Sequence, residues 1–362
     1  MAVDLTFLLD EPTLRFRAVK RKGELRYVAS NRRGSLGAIT RFAPPTKRIP
    51  KMLMGLFGLI DFRFPLVAKS IHISEEFLKQ AATLLEIPVN LIGIYVGEPN
   101  DRQKLVVTDV EGKSQFVLKM AVGSEADVAI ERERNALENF SHLGRKAHQE
   151  ADFVNSVFSV RDIPLSAPQI QQVESVCGKS ALLIERIPGK QLTPEEFNKT
   201  FFEKKSDFRQ QVLGIRNDEG EGSHKGTEHR DYVSVGTWLD HSLKLNTSNL
   251  NPLIDSCHES GALDLLSPLG VVHGDFAPWN AIRRQADENL KLNHLKLKTG
   301  DSLRLCLIDW EFSRPGTPLV FDIAYAAWCY EELLGRTVSS VEPELWKKLV
   351  ALGALWRKIR SQ

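Results

Sequence analysis

The segment Val271–Asn280 combines residue types that could do chemistry with a backbone that cannot form a regular helix. It reads V-V-H-G-D-F-A-P-W-N and places Asp275 five residues before Asn280, with a proline between them. Proline lacks a backbone N–H and clashes with the preceding helical turn, so the sequence predicts a loop here. Strand-like residues lie on both sides, at 270–272 and 281–283. A loop held by strands at both ends can present several side chains to one point.

A further acidic pair follows along the chain. The short apolar run Leu305–Ile308 is predicted to be a strand, and Asp309 lies at its end, two residues before Glu311. Carboxylate and amide oxygens are hard ligands that suit Mg²⁺. Two such groups could hold a metal while one carboxylate is left to orient a hydroxyl group. This set of groups suits phosphoryl transfer from a nucleotide.

The joined motif, H-G-D-F-A-P-W-N followed by L-I-D-W-E, resembles the catalytic segment of the aminoglycoside phosphotransferase and choline kinase families. These are small-molecule kinases with a two-lobed fold related to protein kinases. The resemblance implies that Asp275 is the catalytic carboxylate and that Asn280 and Asp309 hold Mg²⁺, with ATP as the second cofactor. By the same resemblance, His273 and Asp322 support the loop structurally. It covers residues 91–335 and does not extend to 1–70.

The upstream half of the chain offers a strand lysine and a helix glutamate, as the resemblance requires. Lys119 is near the end of a predicted strand, and the following predicted helix, Glu125–Phe140, contains both Glu131 and Glu133. Helical periodicity places Glu133 on the apolar face and turns Glu131 towards the polar side. We therefore expect Glu133 to pair with Lys119, which would bind the nucleotide phosphates.

Several features depart from the protein-kinase pattern. The turn after the predicted strand Leu91–Val96 has no glycine-rich repeat, D-W-E replaces Asp-Phe-Gly, and no A-P-E element follows, which argues against a protein substrate. Glu311 lies one strand step beyond Asp309, on the same side. It could assist the metal, face the substrate or pair with Arg314.

The order of elements agrees with the α+β, two-lobed protein-kinase-like fold that the resemblance implies, with an extra basic N-terminal segment. Residues 71–186 would form a small β-rich, nucleotide-binding N-lobe with one main helix. Residues 187–362 would form a larger, mostly helical C-lobe with the catalytic loop and the acceptor site. The resemblance also implies that the connector from Glu185 to Ile187 contacts adenine through its backbone. Residues 1–70 would be a basic extension of short strands.

Charge is unevenly distributed along the 362 residues, although the formal net charge is only +2. Residues 1–63 contain 13 Lys and Arg against 5 Asp and Glu, which leaves 35 against 41 for the rest. This basic segment could be the solvated face of a small β-rich extension. Alternatively, it could make peripheral contact with an anionic membrane or an acidic partner, with Met52–Ile60 as an interfacial helix. No aromatic residues interleave with a groove-sized basic patch, so no nucleic-acid partner is expected.

Targeting and cysteine patterns favour a cytoplasmic protein. The four cysteines are scattered without a C-x-x-C pair, so neither a zinc site nor a disulfide framework is indicated. No apolar run approaches the ~18 residues of a membrane span, and the first residues lack the order of a signal peptide.

The acceptor is expected to be a hydroxyl group of a small molecule, bound by helices within Thr193–Leu266. Glu195, Glu196 and Asp240 would suit a cationic aminoglycoside or amino alcohol, but an ordinary solvated helix face has the same composition. The sequence F-A-P-W-N with D-W-E is similar to that of kinases associated with bacterial surface-polysaccharide synthesis. This similarity slightly favours a sugar or glycoconjugate as the acceptor. The alternative is a nucleotide-binding pseudokinase or regulatory module, docked through the basic segment. The choice between ATP and GTP and the oligomeric state stay open.

Overall fold

The computed structural model describes residues 14–21, 24–30, 35, 69–147, 165–203, 232–242, 249–284 and 305–360. The chain divides into two compact units, residues 1–138 with 168–187 and residues 139–167 with 188–362. Both units combine strands and helices, which gives a mixed α and β fold. The predicted interfacial helix Met52–Ile60 lies outside the described residues.

Seven helices and fifteen strands lie in the described ranges. The helices are α1 (Glu75–Leu85), α2 (Ala126–Ala147), α3 (Pro194–Phe201), α4 (Val235–Ser242), α5 (Asn251–Glu259), α6 (Val320–Trp328) and α7 (Pro343–Ile359). The first strands are β1 (Leu14–Arg21), β2 (Glu24–Ser30), β3 (Lys69–Ile73), β4 (Ile92–Val96), β5 (Lys104–Asp109), β6 (Phe116–Ala121), β7 (Leu165–Ser166) and β8 (Ile170–Val176). The remaining strands are β9 (Lys179–Glu185), β10 (Gly189–Gln191), β11 (Tyr232–Ser234), β12 (Leu266–Val272), β13 (Ala281–Arg284), β14 (Leu305–Leu307) and β15 (Arg314–Pro318).

The first unit is built on an eight-stranded antiparallel sheet with the strand order β3-β1-β2-β4-β5-β6-β9-β8. Strands β1 and β2 come from the basic N-terminal segment, and they pair directly with the rest of the sheet through β2 and β4. Phe16, Ala18 and Val28 point into the same core as the later strands. Val19 and Ala29, on the opposite face of the same strands, are also buried, while Lys20 stays exposed after the irregularity in β1.

Helix α1 closes the core of this unit against the sheet. Its N-cap is Ser74, whose side chain accepts a hydrogen bond from the N–H of Phe77 at 3.4 Å. This cap satisfies one of the amide groups that a helix start leaves without an intrahelical partner. Phe77, Leu78 and Leu85 are fully buried.

In the second unit, two small sheets carry the loop that contains Asp275. One has the order β10-β13-β14-β7, and the other has the order β11-β12-β15. Strand β12 ends at Val272 and β13 begins at Ala281, so residues 273–280 connect the two sheets. Ala281 pairs with Leu307 of β14, and the N–H of Ile308 donates to the carbonyl of Asn280 at 2.9 Å. This register brings the end of the loop next to the segment that holds Asp309.

The C-terminal helix α7 packs closely on α6. A Cβ at Gly353 of α7 would lie only 2.1 Å from the carbonyl oxygen of Ala324, so glycine is required at this crossing. The rings of Phe321 and Trp356 stack with centroids 4.6 Å apart. Tight packing of this kind fixes the position of the last turn of α7 relative to α6.

Membrane-spanning helices were sought in the described residues, and no helix there is both long and apolar enough to cross a bilayer.

Candidate active site

The backbone of the loop at 273–280 is held by one buried carboxylate. Both oxygens of Asp322, on α6, accept backbone hydrogen bonds, from the N–H groups of His273 and Gly274 at 2.8 Å each. Complete burial, together with the nearby Asp275 carboxylate, raises the pKa of Asp322 to about 7 despite the lowering effect of these N–H bonds. The structure thus places Asp322 beneath the start of the loop, in the position expected of a supporting residue.

Gly274 is needed where the loop meets the segment after Asp309. Its φ angle is +81°, in the left-handed region that L-residues rarely adopt. A Cβ there would lie 2.2 Å from the carbonyl oxygen of Phe312. Any larger residue would therefore separate these two segments.

The imidazole of His273 is occupied by backbone groups on both sides. Its Nε2 lies 2.9 Å from the carbonyl of Ile308, and its Nδ1 accepts from the N–H of Asp275 at 3.3 Å. A carbonyl can only accept, so Nε2 carries the proton and the ring is in its neutral form. The fully buried ring also packs edge-on against Trp310, with centroids 4.7 Å apart. These contacts suit a residue that fixes the loop, because neither nitrogen points to an incoming group.

The carboxylate of Asp275 contacts a different side chain through each of its oxygens. Asn280 Nδ2 donates to Asp275 Oδ2 and to its backbone carbonyl, both at 2.9 Å. Arg360 Nη1, from the end of α7, lies 2.7 Å from Asp275 Oδ1 in a contact that is ionic rather than a well-aligned hydrogen bond. The Asp275 side chain is 13% exposed, so the carboxylate is enclosed but reachable.

The residues expected to hold a metal fit a hard divalent cation. Both bonds from Asn280 Nδ2 end on Asp275, so its amide is fixed in one orientation and its Oδ1 remains an acceptor. Asp309 follows β14 with φ at +71°, an uncommon conformation for a non-glycine residue and one that is enriched at functional sites. Within the described ranges, three or more His, Cys, Asp or Glu residues do not cluster as metal ligands. One amide and one carboxylate oxygen suit Mg²⁺ that is bound mainly through substrate phosphates.

Arg314, a possible ion-pair partner of Glu311 from the sequence, contacts helix α7. Arg314 Nη2 donates to the carbonyl of Ile359 at 3.3 Å, and its guanidinium lies 5.9 Å from the ring centroid of Trp356. Glu311 itself is half-buried. Both residues lie in the segment that packs on the catalytic loop.

In the first unit, Lys119 and Glu133 form a buried ion pair. Lys119 Nζ lies 2.5 Å from Glu133 Oε1, and their side chains are 9% and 1% exposed. The neighbouring Glu131 is exposed and binds Arg134 instead, in agreement with the helical periodicity. The glutamate that the sequence selects is therefore the one that contacts the lysine.

A second lysine, Lys104, reaches the other oxygen of the same glutamate. Its Nζ lies 3.7 Å from Glu133 Oε2, an ionic contact longer than a hydrogen bond, and its side chain is 12% exposed. Lys104 pairs with Ala121 and Val106 pairs with Lys119, so the two lysines lie on one face of neighbouring strands. Sequence reasoning missed Lys104, although the two-residue period of β5 would have placed it there once the register was known.

The backbone groups of the connector from Glu185 to Ile187 differ in whether they are already hydrogen-bonded. The N–H of Glu185 donates to Gln169 and the N–H of Arg186 donates to Gln115, so two of the amides expected to be available are engaged. Ile187 has no hydrogen-bond partner for its backbone among the residues that the structure describes. A base edge could therefore pair with the backbone of Ile187, but not with the N–H of Glu185.

The structure therefore brings the candidate residues together in two groups. His273, Asp275, Asn280 and Asp322 form one group in the second unit, with Asp309 next to Asn280 through the β13–β14 register. Lys119 and Glu133 form the other group, in the first unit. Arg360, which contacts the first group, was missed because no motif surrounds it in the sequence.

Comparisons with known proteins find solved structures that resemble this chain, but no match by sequence to a family model or a curated protein. An amicoumacin kinase in complex with AMP-PNP and Ca²⁺ is 13% identical over 78% of this chain and 76% of that one, with a TM-score of 0.35. A Plasmodium vivax ethanolamine kinase is 14% identical over 74% and 73%, with a TM-score of 0.33. An aminoglycoside phosphotransferase from Streptomyces rimosus is 12% identical over 73% and 92%, also at 0.33.

These three solved structures are all small-molecule kinases. The chain is thus similar to small-molecule kinases. Because the likeness is low, the assignment of the site rests on the chain's own residues.

Proposed function

We propose that this chain is an ATP-dependent phosphotransferase that moves the γ-phosphoryl group to a hydroxyl group of a small molecule. The observation that carries the proposal is the arrangement of Asp275. Asp322 holds the backbone of the two residues before it, and Asn280 holds its carboxylate. Asp309 follows the strand that pairs beside that asparagine. This is the arrangement that phosphoryl transfer needs, because catalysis there is mostly positioning and charge neutralisation.

Each residue has a distinct role in the proposal. Asp275 accepts a hydrogen bond from the acceptor hydroxyl and orients its oxygen for in-line attack on phosphorus. Asn280 and Asp309 hold the metal through oxygen atoms. Lys119 binds the α- and β-phosphates, and Glu133 keeps its ammonium group in place. His273 and Asp322 act through the backbone of the loop and touch neither substrate.

Mg²⁺, when bound with the nucleotide, would neutralise charge on the phosphate oxygens. Asn280 can offer only its carbonyl oxygen, and Asp309 offers a carboxylate in a conformation that the strand end imposes.

The basic N-terminal segment is proposed to support the turn that follows β4. Arg26 on β2 donates to the carbonyl of Gly97 at 2.5 Å and lies 2.6 Å from Glu98. The turn is also bonded to the start of α2, through the N–H of Glu125 and the carbonyl of Asp101 at 2.6 Å. This turn, held by contacts with β2 and with the start of α2, would take the place of the glycine-rich loop that the sequence lacks.

For the acceptor, the structure favours a neutral polyhydroxyl compound over a cation. Glu195 is ion-paired with Arg336, which lowers the pKa of Glu195 to about 2. Glu196 is engaged in the capping box of α3 with Thr193 and lies 3.3 Å from Arg283. Two of the acidic residues that could have bound an aminoglycoside or amino alcohol are thus already neutralised. We therefore propose a sugar or glycoconjugate as the acceptor.

The proposal can be tested with purified protein, Mg-ATP and three separate pools of acceptors: neutral sugars, amino alcohols and aminoglycosides. Mass spectrometry should find one phosphoryl group added to a member of the sugar pool, and Asp275→Ala should give no product. Product in the amino alcohol or aminoglycoside pool would keep the kinase and overturn the acceptor class. A failure in all pools, without any rise of the melting temperature by Mg-ATP, would overturn the function.

A further inference from the structure

Arg360, in the last described turn of the chain, makes three polar contacts, two at the start of the catalytic loop and one on helix α6. Its Nη1 lies 2.7 Å from Asp275 Oδ1 and donates to the carbonyl of Gly274 at 2.8 Å. Its Nη2 donates to the hydroxyl of Tyr325 at 2.7 Å. One guanidinium group therefore joins the proposed catalytic carboxylate, the backbone before it and helix α6.

Two aromatic rings hold the plane of this guanidinium group. Its central carbon lies 4.2 Å from the ring centroid of Phe312 and 4.1 Å from that of Tyr325. The Arg360 side chain is 11% exposed. A cation enclosed between two rings has little freedom to rotate, so its donors point in fixed directions.

The helix that carries Arg360 is itself fixed on the loop. Trp356 Nε1, one turn earlier on α7, donates to the same carbonyl of Gly274 at 3.1 Å. The close crossing at Gly353 sets the position of α7 along α6. The location of Arg360 is thus determined by packing over several turns rather than by the ion pair alone.

We propose that Arg360 is a positioning residue, which holds the carboxylate of Asp275 in the orientation that the acceptor hydroxyl requires. The proposal rests on the proposed function and deepens it. Asn280 binds Oδ2 and Arg360 binds Oδ1, so the two donors together fix the rotation of the carboxylate about its own axis. Loss of either contact would leave the carboxylate restrained through one oxygen only.

Loss of the contact between Arg360 and Asp275 should lower turnover more than it weakens substrate binding. Displacement of a catalytic group by about 1 Å can cost on the order of 100-fold in rate. We expect Arg360→Met to lower kcat by about 10- to 100-fold and to leave the KM for ATP nearly unchanged. Arg360→Lys should recover part of kcat, because a lysine can pair with Asp275 but cannot make all three contacts at once.

Arg357 supplies the matched control. It lies three residues earlier on α7 and covers the ring of Trp328, with its central carbon 4.7 Å from the ring centroid. Arg357→Met removes the same charge and the same donors from the same helix. A merely structural role for Arg360 would give similar kcat values in the two Met variants, and this result would overturn the proposal.

A second readout does not depend on activity. In Arg360→Met, the carboxylate of Asp275 loses its cation while it is largely buried, so the denaturation midpoint should fall. Adding Asp275→Asn should restore part of that fall, because the uncompensated charge is then gone. The same second substitution added to Arg357→Met should restore nothing. Strictly additive midpoint shifts at positions 275 and 360 would contradict the proposed coupling.

The two tests separate the proposals. If the wild-type protein transfers phosphate to no acceptor, the proposed function fails, and the denaturation cycle alone decides whether Arg360 positions Asp275. If transfer occurs but Arg360→Met matches Arg357→Met in kcat and in the cycle, the function stands and the role of Arg360 is overturned.

Discussion

Substitution of Gly274 by alanine should show how tightly the catalytic loop is joined to the segment after Asp309. The left-handed φ of +81° costs an L-residue roughly 1–2 kcal/mol. The added methyl group would also lie 2.2 Å from the carbonyl oxygen of Phe312, well inside contact distance. Forced overlap of this kind typically costs roughly 1–3 kcal/mol more, since the backbone must move. We therefore expect Gly274→Ala to lower the free energy of unfolding by roughly 2–5 kcal/mol.

Gly335 provides a control with the same backbone strain and no overlap. Its φ is +61°, and nothing lies within 4 Å of a Cβ built there. Gly335→Ala should cost only about 1–2 kcal/mol. Equilibrium unfolding in urea measures both values, and Mg-ATP-dependent transfer reports the activity. Only Gly274→Ala should abolish transfer, because the shift displaces the adjoining Asp275. Equal losses of stability in the two variants, or full activity in Gly274→Ala, would refute this account of the loop.

Three further substitutions test the separate parts of the site. Glu133→Gln leaves Lys119 buried without its carboxylate, so it should destabilise the protein by about 3–5 kcal/mol and weaken ATP binding measured by calorimetry. Glu131→Gln, at an exposed position, should change neither the stability nor the ATP affinity. Asp309→Ala should remove the extra rise in melting temperature that Mg²⁺ adds to ATP; an unchanged metal effect would move the metal site elsewhere. The pKa of Asp322 is raised to about 7, so its folded form holds a proton that the unfolded chain releases near pH 4. The difference in unfolding free energy between the wild type and Asp322→Asn should thus be greatest below pH 4 and fall by about 1.4 kcal/mol per pH unit up to pH 7. A difference that does not change with pH would show that Asp322 stays ionised in the folded protein.

Much of the site could be anticipated from local sequence, because its residues lie at strand ends and on a helix with a clear apolar face. The predicted strands at 91–96, 105–109 and 115–120 are confirmed to within one residue. The helical period selects Glu133 rather than Glu131 as the glutamate that contacts Lys119. The helix predicted to end at Phe140 instead continues to Ala147, since no proline lies between them and Gly144 alone does not end the helix.

Other features depend on pairings that a single sequence does not contain. Strand β8 reads I-Q-Q-V-E-S-V, which has too many polar residues for a clear strand pattern, and it forms at the sheet edge by pairing with β9. Strands β1 and β2 were expected in an extension, but their place in the sheet is set by the register of β2 on β4. Arg360 reaches Asp275 only because α7 crosses α6 at Gly353. Long-range contacts of this kind leave no local pattern.

The most direct test of the central claim is a ³¹P NMR time course of Mg-ATP with the pooled acceptors, for the wild type and for Asp275→Asn. The account predicts that the γ-phosphate signal of ATP is replaced by a phosphomonoester signal with the wild type. With Asp275→Asn, ATP should still raise the melting temperature but no phosphomonoester should form. Equal phosphomonoester formation by both proteins would contradict the role of Asp275, and an ATP spectrum and melting temperature that do not change with the wild type would contradict the kinase itself.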